Sequence, residues 1–541
     1  VFDDLTSGDN NVGVGMQALT KLTTGSGNTA IGLAAMESNT TGSDNTALGR
    51  SALAANTTAN NNTAIGHDSL LANTTGADNT AVGSQALAAN TTGILNTAIG
   101  VNALDALTTA NNCIAIGSNA LGGNILADRS IAIGNNALLT HNVASTADTY
   151  NVAIGHQSQE LTTTGVQNTS VGGYALYANT TASNNTAIGY SALIANTTGA
   201  NNLAVGALAL DANTTGSENV AVGKEALTSN TTANSNTAVG FKSLFTNTTG
   251  GNNTAMGDSA LRANTTASNG TALGHSALTA NTTGTNNTAV GYQALKANTT
   301  GASNTAIGSE SLDAVTTGDA NTAVGRFAGS AITTGLGNTA IGYQALDALT
   351  TSNYNTAIGF DALSANTAAD NVAVGTNALN ACTTGTANTG IGRSALEAST
   401  TNDHNTAIGR SAASSQTTAG NTIAIGSSAA SNLTTGNNNT VVGTSAGQAI
   451  VDSSSNVLFG YAVNTSASGV SELVIGVQKT GKGDGTGFIA PPGDGNLFQG
   501  NNSSSWATTS DKRIKKNIVN NDVGLEKINQ IQVRNFKYKT S

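Results

Sequence analysis

The hydrophobic and polar positions of this chain recur in one phrase that is repeated along most of its length. A full unit reads N-T-A-I-G-x-x-A-L-x-A-N-T-T-G-x-N, as in "NTAIGYSALIANTTGAN" over residues 185–201. We call the glycine that ends "NTAIG" and its variants the phrase glycine. The phrase glycines stand 17 residues apart almost everywhere, with a spacing of 21 between Gly134 and Gly155 and of 16 between Gly359 and Gly375. A fixed short period is typical of repeat architectures.

Seventeen residues suit one coil of a β-solenoid, with two short strands and two turns, and are too few for a helical repeat. In "TAIG" the Thr and Ile positions share one face of a strand, and Ala takes the other face. We assign the Ile/Val column, and the Leu column four residues after the glycine, to the coil interior. The Ala columns are assigned to surfaces that another backbone approaches. "NTTG" and "NN" supply the turns, because Asn and Gly tolerate left-handed backbone conformations.

A single coil of this kind has a thin core. Each ordered residue costs roughly 1.5 kcal/mol, so the few small apolar side chains of one coil barely offset the cost of ordering it. Three identical chains packed about a common axis would supply the missing burial. The sequence therefore predicts a homotrimer, with the chain itself as the first partner.

The repeated "NTAIGxxAL" resembles the "NSVAIGxxSxA" head repeat of trimeric autotransporter adhesins of the YadA type. The resemblance covers residues 11–476. It implies a left-handed parallel β-roll with three chains to a head, although the coils here have 17 residues and those of the family are shorter. The predicted fold class is all-β, a parallel β-roll or solenoid, with a short C-terminal α/β fragment.

Charge is unevenly distributed along the 541 residues. The formal net charge is −10, yet residues 479–541 hold half of the 20 lysines and arginines. The acidic remainder does not suggest a phosphate-binding surface, and the basic end lacks a nucleic-acid-binding motif, so no nucleic acid is expected as a partner.

No apolar run approaches the ~18 residues that span a bilayer, and membrane insertion is not expected. Cys113 and Cys382 stand at different repeat positions, which disfavours a disulfide between them.

Two residue types in the repeat could carry chemistry. The recurring "NTT", for example at Asn39 and Asn56, fits the N-glycosylation pattern, but asparagines on successive coils can also form an amide ladder. We favour the ladder, because glycans every ~5 Å would crowd. His67, His156 and His275 each follow a phrase glycine, several coils apart, and are predicted to be single solvent-facing side chains.

Neither a metal nor a cofactor is predicted for the repeats. A trimer axis could still bring three copies of one histidine together, which leaves a metal site open as the alternative. The repeats also lack the paired carboxylates of a sugar-cleaving enzyme. No enzymatic activity is expected of the shaft.

The phrase ends near residue 478, and the chain changes character. We predict a repeat shaft over residues 1–478, a Gly/Ser-rich connector over 479–509 and a third segment over 510–541. In that segment "TSDKRIKKNI" and "LEKINQIQVRNFKYK" resemble the start of the self-cleaving intramolecular chaperone at the C-terminus of phage endosialidases and many tail fibres.

That second resemblance implies a catalytic pair, Ser510 and Lys515, and a cut at the Ser510–Asp511 bond. The alternative is that Ser510 is only the N-cap of a helix. Only 31 residues follow Ser510, fewer than such a domain needs for a core. The segment is therefore expected to be a truncated start that does not cut itself.

Together the patterns predict a phage-type tail fibre or spike shaft. It would be located in the virion, outside the cell, and contact a host-surface glycan or protein receptor. The alternative is the head of a bacterial trimeric surface adhesin, located on the bacterial surface.

Overall fold

The computed structural model describes residues 2–145, 147–467, 469–490, 496–500 and 507–508. The chain divides into two compact units between Asn388 and Thr389, and each unit is described by itself. The described residues of both units form strands and turns and contain no helix. Accordingly, no helix in this part of the chain could cross a membrane.

The first unit repeats one short strand per coil. Its strands are β1 (Val12–Val14), β2 (Thr29–Ile31), β3 (Thr46–Leu48), β4 (Thr63–Ile65), β5 (Thr80–Val82), β6 (Thr97–Ile99), β7 (Ile114–Ile116), β8 (Ala127–Asp128), β9 (Ile131–Ile133), β10 (Ala147–Asp148), β11 (Val152–Ile154), β12 (Thr169–Val171), β13 (Thr186–Ile188), β14 (Leu203–Val205), β15 (Val220–Val222), β16 (Thr237–Val239), β17 (Thr254–Met256), β18 (Thr271–Leu273), β19 (Thr288–Val290), β20 (Thr305–Ile307), β21 (Thr322–Val324), β22 (Thr339–Ile341), β23 (Thr356–Ile358) and β24 (Val372–Val374).

Successive strands pair in parallel and in register. Strand β13 pairs with β14 so that Thr186 faces Leu203 and Ala187 faces Ala204. Equivalent positions of neighbouring coils therefore lie on top of each other, about 4.8 Å apart. The prediction of an all-β parallel solenoid with coils of about 17 residues is confirmed.

Each regular coil contains one three-residue strand, whereas the sequence analysis predicted two. After the phrase glycine the backbone turns, because Ser191 and Leu193 both adopt left-handed conformations with φ of 54° and 53°. This side of the coil still bonds to its neighbours: the Leu193 amide donates to the Ala209 carbonyl at 3.0 Å. The second predicted strand is replaced by a hydrogen-bonded series of turns.

The assignment of interior columns was half wrong. The Leu column is buried as predicted, and Leu193 is fully inaccessible. The Ala column is also inside, since Ala187 and Ala192 have no exposed surface, whereas Ile188 of the Ile/Val column is 40% exposed. The strand alternates as expected, but its Ala face lines the coil. The interior is too narrow for a larger residue beside leucine.

Two coils of the first unit depart from the 17-residue length without disturbing the sheet. In the long coil, β9 still pairs with β11 so that Ile131 faces Val152. The short strands β8 and β10 pair with each other at its side. In the short coil, Thr356 faces Val372 in the usual register. Changes in length are therefore absorbed in the turns.

The second unit begins with the same coils and ends differently. Strands β28 to β31 pair in parallel, whereas β31, β32 and β33 pair antiparallel. After the repeated phrase stops, strand pairing therefore continues, but it changes from parallel to antiparallel. Its strands are β25 (Thr389–Ile391), β26 (Thr406–Ile408), β27 (Ile423–Ile425), β28 (Thr440–Val442), β29 (Val457–Phe459), β30 (Leu473–Gly476), β31 (Gly487–Ala490), β32 (Leu497–Gln499) and β33 (Ala507–Thr508).

Candidate functional site

A row of exposed aliphatic side chains follows the sheet of the first unit. Every three-residue strand of this unit ends on Ile, Val, Leu or Met. We call these last residues the aliphatic column. Their side chains point away from the Ala-lined interior, and Ile188, Ile307 and Ile358 are 40, 41 and 36% exposed. A parallel sheet normally has both faces covered, and within the chain this face of the sheet stays partly exposed.

In the second unit a similar apolar surface forms a groove. It is lined by Phe459, Ile475, Ile489 and Leu497 and has a volume of about 470 Å³. Phe459 and Leu497 are more than 40% exposed. Within this unit the groove includes residues of β31 and β32, the strands that follow the last phrase.

Two asparagine ladders run inside the first unit. In the ladder of the "NTT" asparagines, the Asn196 amide donates to the Asn179 side-chain oxygen at 3.1 Å and to the Gly199 carbonyl at 2.9 Å. In the second ladder, which precedes the strands, the Asn202 backbone N–H donates to the Asn185 side-chain oxygen at 2.9 Å. The side chains of Asn179 and Asn196 are fully buried. The ladder interpretation is confirmed, because these amides are buried and hydrogen-bonded to neighbouring coils.

The predicted histidines lie apart on the surface. His67 approaches the carboxylate of Asp68 at 3.4 Å, and the ring of His275 stacks on Tyr292 with centroids 5.6 Å apart. The His156 ring meets Tyr174 edge-on. Within the described ranges no group of three or more His, Cys, Asp or Glu side chains is placed to hold a metal ion.

Both cysteines are buried and neither forms a disulfide, as expected from their separation. Burial raises the pKa of the Cys113 thiol to about 11. Its sulfur lies 3.2 Å from the Ala127 carbonyl oxygen. Cys113 therefore replaces an asparagine of the ladder that precedes the strands, and it is protected from oxidation by burial and protonation.

A buried histidine interrupts the "NTT" ladder, and the sequence analysis missed it. His141 stands seven residues after Gly134, where most coils have the ladder asparagine, and it is fully buried. Its Nε2 lies 3.4 Å from the Asn151 amide nitrogen. Burial lowers the pKa of His141 to about 4. Counting positions within the repeat would have found this substitution.

We expect acid to loosen the coils around His141. The unfolded histidine gains its proton near pH 6.5 and the folded one only near pH 4. Stability is therefore full above pH 6.5 and falls as the pH drops towards 4, by about 3 kcal/mol. The hydrogen-exchange protection factors of residues 131–172, which correct for the slower intrinsic exchange in acid, should fall over this range, and His141→Asn should remove the effect. The exposed His275→Asn is the control: loss of the pH dependence there as well would contradict the assignment.

Ser510, Asp511 and Lys515 lie outside the described residues, so their geometry stays a prediction. The comparisons concern this same segment: the family model described as "Chaperone of endosialidase" matches residues 510–541. Comparison with curated proteins and with solved structures gave no match for the chain. The match supports the start of an intramolecular chaperone at this end of the sequence.

These findings define a class of protein. A long parallel β-solenoid provides a repetitive scaffold, and the segment after it matches a chaperone family. Together they indicate a tail-fibre-like structural protein.

Proposed function

We propose that this protein is the trimeric shaft of a phage-type tail fibre or spike, carried on the virion and used for attachment to a host surface. Three copies of the chain lie side by side, with their aliphatic columns turned towards a common axis. The shaft has a mechanical role and needs no cofactor. The observation that carries the proposal is the uncovered aliphatic column on a parallel sheet.

The chemistry of the column favours further copies of the same chain as its cover. It is aliphatic on every three-residue strand of the first unit, so a second column can match it coil for coil. Fully burying such a side chain contributes about 1.5–3 kcal/mol. Covering a member that is 40% exposed, such as Ile188 or Ile307, would contribute roughly 0.5–1 kcal/mol, and covering the less exposed members would contribute less. Three copies are proposed because both families that the sequence resembles assemble as trimers.

The trimer can be tested by polar substitution within the column. We expect wild-type chain to sediment with three times its own mass, and a variant with Ile307→Asp, Val324→Asp and Ile341→Asp to sediment as a monomer. Three carboxylates on adjacent coils also repel each other within one chain, so the control must contain the same repulsion.

The matched control places the same charges on an exposed turn. Thr283, Thr300 and Thr317 lie on three adjacent coils with exposed side chains. Replacing all three with Asp should leave the trimer intact. A wild-type chain that is folded and monomeric, or two triple variants that dissociate equally, would contradict the proposed interface.

We further propose that Ser510 and Lys515 act as a pair that cuts the Ser510–Asp511 bond after assembly. Lys515 would accept the proton of the Ser510 hydroxyl, which requires a neutral lysine and hence a lowered pKa. Release of the chaperone after trimer formation would leave a shaft that unfolds slowly, because its folding aid is gone. The family match to residues 510–541 supports this proposal.

Self-cleavage can be tested on the chain with residues 510–541 extended into a complete chaperone domain of the matched family. We expect two bands from the wild type and a single longer band from Ser510→Ala. Ser505→Ala, in the connector just before this segment, should be cut normally. Equal band patterns for the wild type and Ser510→Ala would remove the Ser–Lys pair from the proposal.

The second candidate function is a surface adhesin head of the YadA type, favoured by the repeat itself. The family match at residues 510–541 favours the tail-fibre role instead. Both candidates share the trimeric roll and differ in the segments that accompany it.

A further inference from the structure

A second column on the surface contrasts with the aliphatic one. It consists of the residue directly after each phrase glycine, and we call it the outer column. Its members include Ala, Lys, Asp, His, Ser, Arg, Tyr and Phe, whereas the aliphatic column keeps one chemical character. Several aromatic members are strongly exposed: Tyr190 by 59%, Tyr292 by 49% and Phe360 by 51%. A varied, exposed column is suited to contact with a ligand rather than to packing between copies.

The aromatic residues of the outer column recur with a longer period. Tyr190, Phe241, Tyr292 and Tyr343 stand 51 residues apart, which is every third coil. At about 4.8 Å per coil, the spacing between these rings is roughly 14 Å. The coil before each of the last three carries a hydrogen-bond donor in the same column. The three donor and ring pairs are Lys224 with Phe241, His275 with Tyr292, and Arg326 with Tyr343.

The rings are held in place by contacts along the column. Tyr292 stacks on His275 at an interplanar angle of 19°, and Tyr343 stacks on Phe360 with centroids 5.4 Å apart. The Lys242 ammonium lies 5.1 Å from the Phe241 ring centroid. Anchored aromatic rings lose little conformational freedom when a ligand stacks on them.

We propose that the outer column from Tyr190 to Phe360 binds a linear neutral polysaccharide that runs along the shaft. A pyranose ring presents a face of C–H groups, which packs against the electron-rich face of an aromatic ring. The donors one coil away are placed to reach sugar hydroxyls. A ligand with a regular repeat can contact several of these donor and ring pairs at once, and weak single contacts then add up to useful avidity.

The charge of the protein favours a neutral chain over an acidic one. Residues 1–478 contain 25 acidic and 10 basic residues, so a polyanion is repelled by the surface as a whole. Within the column itself, Asp258 lies between Phe241 and Tyr292. Beside the column, Glu225 pairs with Lys224 and Lys242 at 3.3 Å, so the charge of Lys224 is partly neutralised. This inference rests on the proposed attachment function and names the class of ligand.

The test is affinity electrophoresis of the full chain in native gels that contain yeast mannan, dextran or galactomannan as neutral probes, with polygalacturonate as the acidic one. We expect retardation by at least one neutral probe and none by polygalacturonate. In the variant Tyr190→Ser, Phe241→Ser, Tyr292→Ser and Tyr343→Ser the apparent Kd should rise on the order of tenfold to a hundredfold. Serine is tolerated here, because Ser84, Ser118 and Ser309 occupy the same position in other coils.

The control removes exposed apolar residues from a turn outside the outer column. Leu95 and Tyr354 are 51 and 61% exposed in left-handed conformations, at a position where Ser235 and Ser303 occur naturally. Replacing both with Ser should leave retardation unchanged. The inference is overturned if no neutral probe retards the wild type, if only polygalacturonate does, or if the four-residue variant binds as before. Sedimentation of the same samples shows separately whether the trimer has failed.

Discussion

Gly172→Ala is expected to disrupt the coils around it, while Gly173→Ala leaves them stable. Gly172 has a φ of 140°, where a side chain is strained, and a Cβ there would lie 2.4 Å from the Gly189 carbonyl oxygen. That oxygen belongs to the backbone of the next coil and cannot move without breaking the ladder. The combined strain and overlap should cost about 3 kcal/mol or more. At Gly173 the nearest atom is a Tyr190 ring carbon at 3.8 Å, which is ordinary contact.

Thermal unfolding followed by circular dichroism should show the difference, and hydrogen exchange should locate it. Because each coil contacts mainly its neighbours, exchange is expected to accelerate around Gly172 and to return to normal several coils away. Equal melting curves for the two variants would mean that Gly172 is not packed against Gly189 of the next coil, and would contradict this prediction.

Asn196→Ala is expected to cause the second large loss. Its amide donates to Asn179 and Gly199, and its side-chain oxygen accepts from the Asn213 amide at 2.9 Å. Alanine leaves the Asn179 side-chain oxygen and one N–H of the Asn213 amide without these partners in a buried place, whereas the Gly199 carbonyl still accepts from the Asn185 amide at 3.0 Å. Each unsatisfied buried group costs about 1–3 kcal/mol, so the variant should lose roughly 2–4 kcal/mol in local stability.

Thr198→Ala is the matched control, because it removes the same N-glycosylation pattern and leaves the ladder in place. Thr198 is exposed, and its loss should change stability by less than about 0.5 kcal/mol. Chemical denaturation of the two variants distinguishes the two roles of the asparagine. If Thr198→Ala were as damaging as Asn196→Ala when produced in a glycosylating host, a glycan rather than the ladder would explain the motif.

Several features could be derived from the sequence because they depend on spacing. The period of the phrase predicted the coil length, and the stacking of like positions followed from it. The asparagine ladder was also predictable, since Asn196 and its equivalents repeat at one place in most coils. The catalytic role assigned to Ser510 and Lys515 still rests on sequence resemblance, because both residues lie outside the described residues.

Other features were decided only by the tertiary structure. Alternation separates Ala187 from Ile188 but does not say which of them faces inward, and the usual preference for the larger residue gave the wrong answer. The left-handed turn that contains Leu193 narrows the coil, so alanine fits inside and isoleucine is left outside. The sequence by itself determined the repeat and its ladders. The width of the closed coil determined which columns became core and which stayed exposed. That width depends on backbone conformations outside the strand, such as those of Ser191 and Leu193, which the alternation within the strand does not reveal.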